Sequence, residues 1–117
     1  MEFGRTLAEL LAAVVSSLLL GGCLNMSTPP AQITGATAST RNYADLTCDQ
    51  LADELGTLAK RESPLAAAQD RRVKMSNVQA LAIGIGQGDG AAATDLANVR
   101  GEREAVRNAM IAKQCGR

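Results

Sequence analysis

Leucine and alanine spacing constrains this chain more than any other feature. Leu51, Leu55, Leu58 and Leu65 recur at intervals of four, three and seven, which puts them on one face of a helix. Ala92, Leu96, Val99, Val106 and Met110 form a second stripe with the same spacing, interrupted at Arg103. Two helices, each apolar on one side, can hide those sides by packing on each other, so the expected fold is an all-α antiparallel helical hairpin. The first helix should begin at a capping box made by Thr47 and Gln50, with Leu46 and Leu51 as its hydrophobic staple. Asp49 in the first turn suits the helix dipole. Pro64 should kink or restart this helix near Ser63. The second helix is expected from about Ala91 to Cys115, with Gly116 where helices commonly stop. Asp70 with Lys74, and Arg100 with Glu104, are spaced for solvated surface pairs.

Between the stripes lies "ALAIGIGQGDGA", residues 80–91. Three arrangements suit it: a loop whose Leu81, Ile83 and Ile85 tuck over the end of the helix pair, close helix packing in a membrane through Gly84-x-x-x-Gly88 and Gly86-x-x-x-Gly90, or a surface that docks a partner. The tucked loop is the expected one, since apices face water. The apolar part, from Val78 to Gly86, is too short to span a bilayer. Gly86-x-Gly88-x-x-Ala91 matches a relaxed dinucleotide fingerprint, but that motif needs a βαβ unit and a later acidic residue. Asp89 lacks the second carboxylate of a calcium loop; capping of the second helix by Asp89 or Gly90 is expected instead.

The start of the chain carries a different kind of signal. From Leu10 to Leu20 runs an apolar segment of 11 residues that ends in "LLLGGCLN". This is too short for a permanent transmembrane helix, which needs about 20 residues, and right for a cleaved secretory signal. Leu20-Gly21-Gly22-Cys23 resembles the lipobox of bacterial lipoproteins. The resemblance implies that the Cys23 thiol takes a diacylglycerol, that residues 1–22 are removed, and that the new amino group is acylated. Glu2 and Glu9 offset Arg5, a departure from the usual positive leader.

With Cys23 lipidated, Cys48 and Cys115 are left as a pair in an oxidising setting, and a disulfide is expected. Without a His or a third Cys they make a poor zinc site. If the two face each other, residues across the hairpin sum to about 163. Leu51 then meets residues near Ala112, Leu55 near Met110 and Leu58 near Val106. Glu62 and Arg103 fall close together as a charged pair that sets register. Gly101, also opposite Glu62, would allow close backbone approach.

Residues 24–40, "LNMSTPPAQITGATAST", have no charge and little to bury. They read as a flexible tether with a mean reach of about 23 Å. The expected organisation is thus a signal peptide (1–22), a lipidated cysteine and linker (23–40), and a hairpin domain (41–117). Lipobox, polar tether and two-cysteine hairpin together resemble a class of small proteobacterial lipoproteins. That resemblance implies a location and an architecture, and no activity.

Composition narrows function mainly by exclusion. Removing residues 1–22 leaves 11 basic and 10 acidic side chains, which does not make a nucleic-acid footprint. Tyr43 becomes the last aromatic, and the chain contains no His or Trp. No nucleophile–base pair is present to support catalysis, and no cofactor or metal is expected. The expected function is a non-enzymatic lipoprotein, held to the lipid membrane through Cys23 and serving an envelope protein partner as an accessory or structural subunit. The alternative is a membrane-perturbing, lysis-type lipoprotein acting through residues 78–90. By the sorting rule that the resemblance to bacterial lipoproteins implies, Leu24 after the lipidated cysteine, in place of Asp, would send the protein to the outer membrane, at its periplasmic face.

Overall fold

The computed structural model describes residues 25–36 and 41–116. Two helices, α1 (Cys48–Ile83) and α2 (Ala91–Ala112), form an antiparallel hairpin, and no strand occurs among the described residues. Helix α1 starts as its sequence dictates. The Thr47 hydroxyl accepts from the Gln50 amide at 3.2 Å, and the Gln50 side chain accepts from the Thr47 amide at 2.9 Å. Both exchanges satisfy donors that a helix start would otherwise leave open. The helix runs on through Pro64 without a restart. Pro64 has no amide hydrogen to offer the Lys60 carbonyl, but it is exposed, where water can serve that group. Helix α1 ends at Gly84, whose φ of +79° is the left-handed conformation a glycine adopts without strain.

The core occupies the half of the hairpin near the disulfide. Tyr43, Leu51, Leu58, Val99 and Val106 are buried together, with Leu46, Leu55, Leu65, Met110 and Cys115 packed around them. Tyr43, the single aromatic among the described residues, is therefore a core residue, and its hydroxyl reaches the Glu102 carboxylate at 3.4 Å. Cys48 and Cys115 are joined, with their Cα atoms 5.6 Å apart. At the other end, the Gln87 amide donates to the Ser76 hydroxyl at 2.9 Å. That pair also sums to 163, so one register holds from the disulfide to the loop.

Helix α2 is shorter than its stripe suggests. It stops at Ala112, and a turn with Gln114 at φ +56° carries Cys115 back to Cys48. Closing the disulfide requires Cys115 to leave the helix, so Gly116 lies beyond the stop and does not make it.

The largest departure from the sequence reading concerns the linker. Residues 25–36 do not hang free. They lie along the hairpin as a strap, with a 3-10 turn at Pro30–Gln32. The Ala36 amide donates to the Ala97 carbonyl of α2 at 2.8 Å. Low hydrophobicity implies disorder when burial must supply the stability; here hydrogen bonds and ion-supported contacts supply it. Gly101 permits the close approach, since a Cβ there would strike the Ala36 carbonyl oxygen. The glycine faces the strap and not α1.

Candidate functional site

Two places concentrate chemistry: a polar seam halfway along the hairpin, and the apex. The seam is centred on Glu62 of α1. Its carboxylate accepts from Arg100 at 2.8 Å and also from Arg103 of α2. Burial pushes the Glu62 carboxyl up, while hydrogen bonds from Arg100 and Arg103 outweigh it and hold the group below the usual glutamate value. The Glu62–Arg103 pair expected from the register is present. Arg100, however, does not make a solvated pair with Glu104. It turns inward to Glu62 and also donates to the carbonyls of Pro30 and Ile33. One guanidinium thus joins the strap, α1 and α2, using the several fixed donors that distinguish Arg from Lys. A cleft of about 540 Å³ lies beside it, lined by Ile33, Gly35, Glu62, Arg103, Glu104 and Arg107. Glu62 and Glu104 stand there among Arg100, Arg103 and Arg107, and the pairs made by Glu62 tie α1 to α2.

Nearer the apex, the strap is held by Asp89. The Thr28 amide donates to its carboxylate at 2.6 Å and the Thr28 hydroxyl at 2.5 Å. The buried Gln69 side chain donates to Asp89 at 2.8 Å and to the Thr28 carbonyl at 2.9 Å. The Thr28 hydroxyl bond, helped by the remaining donors and by Arg72, holds Asp89 below the usual aspartate value against desolvation. Asp89 therefore does not cap α2; Gly90 stands at the N-cap with no side-chain cap bond. Arg72 donates to the Gly88 carbonyl at 2.7 Å, and Ser27 donates to the same carbonyl. Gly88, at φ +68°, is buried beneath Asn25. The glycine run is thus a loop whose backbone is recruited by the strap, and the described residues form no βαβ unit around it.

The tucked loop is overturned. Leu81 is 90% exposed, Ile83 69% and Ile85 57%, with Val78 at 62% beside them. The reason is geometric: α1 continues to Ile83, so Leu81 and Ile83 project from the last turn of a helix that extends past the start of α2. The loop returns along its polar, glycine side, leaving the branched side chains outward.

Leu20, Gly21, Gly22 and Cys23 lie outside the described residues. Among the described residues, no group of three or more His, Cys, Asp or Glu could hold a metal, and no helix is long and apolar enough to cross a membrane. The chain matches no family model, no curated protein and no solved structure. The strap contacts of Ser27, Thr28, Gln69, Arg72 and Arg100 escape sequence reading. A glycine inside the α2 stripe, at 101, was the signal that pointed toward a close neighbour.

Proposed function

We propose that this chain is a non-enzymatic, lipid-anchored lipoprotein of the bacterial envelope, held by Cys23 at the periplasmic face of the outer membrane and serving an envelope protein partner as an accessory or structural subunit. The observation that carries this reading is the pairing of Cys48 with Cys115, which uses two of the three cysteines and leaves Cys23 for the lipobox-like Leu20-Gly21-Gly22-Cys23. A structural disulfide suits an exported protein. The scaffold-like use of its charges supports a non-catalytic role: Glu62, Arg100 and Asp89 are engaged in holding the strap and the two helices together. Labelling cells with a palmitate analogue tests the anchor. Wild type should carry the label and Cys23→Ser should not; equal labelling of both would refute the reading.

A second reading has its own support in the exposed Val78, Leu81, Ile83 and Ile85. A membrane-perturbing lipoprotein would use such a tip to breach a bilayer. Release of a dye trapped in phospholipid vesicles, at protein levels that leave the vesicles intact with Ile83→Asp, would favour it over the accessory role.

A further inference from the structure

The strap determines where a lipid on Cys23 would sit. Asn25 is the first described residue, and its side-chain amide donates to the Gly86 carbonyl at 3.5 Å, next to Ile85. Ser27 and Thr28 hold the following residues to Gly88 and Asp89. Two peptide links separate Cys23 from Asn25, and two links span at most about 7 Å. The anchoring cysteine is therefore confined to the apex end of the hairpin, however residues 23 and 24 are arranged.

The apex has the chemistry of a lipid-facing tip. Between Lys74 and Asp95 the chain carries one charge, Asp89, and that carboxylate is engaged by Thr28 and Gln69. From Met75 to Ile83 is about 12 Å of helix without a charge, and Met75, Val78, Leu81 and Ile83 are exposed along it. Met26, in the strap, adds a further exposed apolar side chain near the same loop. Arg71, exposed one turn behind Met75, can reach phosphate headgroups with its stem in apolar surroundings, whereas Arg72 is held by the Gly88 carbonyl and Lys74 by Asp70.

We infer that the hairpin apex, Leu81, Ile83 and Ile85 with Met75 and Val78 behind them, rests in the phospholipid surface that holds Cys23, so that the hairpin stands on the membrane with its disulfide end pointing away. This deepens the lipid-anchor reading and rests on it. The strap acts as a splint. It brings the attachment point of the lipid beside an apolar tip, and α1, about 54 Å long, carries the Cys48–Cys115 end far from the bilayer.

The chain contains no tryptophan, so a single one reports its own surroundings. Full chains carrying Ile83→Trp or Ala112→Trp are expressed in bacteria with the palmitate analogue. They are purified from membranes and reconstituted in vesicles of brominated phosphatidylcholine and phosphatidylglycerol. The inference expects both proteins to carry the label. Tryptophan at 83 should be blue-shifted and quenched by the bromines, while that at 112 should be neither. Labelled protein with an unquenched residue at 83 overturns the apex docking and leaves the anchor standing. A blue-shifted but unquenched residue at 83 assigns the tip to a protein contact and overturns the lipid as its occupant. Quenching at both positions would mean a hairpin lying flat, which contradicts the upright orientation. Absence of label overturns the anchor itself, and the inference falls with it.

Discussion

Thr28 donates twice to the Asp89 carboxylate, from its amide at 2.6 Å and from its hydroxyl at 2.5 Å, across 61 residues of sequence. This pair closes the strap onto the apex loop. Removing the acceptor with Asp89→Ala should cost about 1 kcal/mol. It should also speed hydrogen exchange at the Thr28 and Ala36 amides more than at the middle of α1. Equal exchange in both proteins would show that the strap is held by something else.

Gly35 and Gly101 allow a sharper test because the two outcomes differ in sign. A Cβ on Gly101 would strike the Ala36 carbonyl, and one on Gly35 would come within 2.8 Å of the Gly101 nitrogen. On a helix face without a neighbour, Gly101→Ala should stabilise by about 1 kcal/mol through helix propensity. Beneath the docked strap it should instead destabilise by about 1–3 kcal/mol through overpacking. Thermal melts of the detergent-solubilised protein decide between them; a raised Tm would contradict the docked strap.

What the sequence made legible follows from periodicity and spacing. The capping box at Thr47 and Gln50, the paired stripes, the Cys48–Cys115 bond and the 163 register all rest on residues whose partners are set by helical repeat. The strap does not. Its partners are mostly backbone carbonyls, such as those of Pro30, Ile33 and Gly88, and no side-chain pattern encodes a carbonyl. Arg100 shows the difficulty well. Its spacing to Glu104 suggests a surface pair, yet three inward acceptors outcompete one carboxylate in water. At the apex, apolar side chains imply a cover, but α1 extends past the start of α2 and offers none.

Acid should loosen the same contacts. The folded values of Glu62 and Asp89 are both depressed, so the unfolded chain binds protons more readily at low pH. Their stabilisation is present in full above the ordinary carboxylate range, about pH 4. It is lost as pH falls through that range toward the folded values. The Tm should therefore be flat near neutrality and fall below about pH 4. Glu62→Gln should start from a lower Tm and show a shallower acid decline. An equally steep decline in the variant would remove Glu62 from the account.

Reducing the disulfide should matter more than any single polar contact. Cys48 and Cys115 are 67 apart in sequence, and closing a loop of that size contributes about 4 kcal/mol by loop entropy. A chain with so few large apolar residues has little reserve. Denaturant titration of a variant with both cysteines changed to serine should show a much lower midpoint. Its α-helical signal before the transition should be close to wild type, since the stripes remain.

The proposed lipidation of Cys23 is tested most directly by mass spectrometry of the first tryptic peptide of protein recovered from membranes. Trypsin cuts after Arg5 and Arg41, with no basic residue between them. Processing at the lipobox-like site predicts a peptide that begins at Cys23, ends at Arg41 and carries a diacylglyceryl group on the thiol and an acyl group on the amine. A peptide from Thr6 to Arg41 with an unmodified cysteine, as the main species, would contradict it.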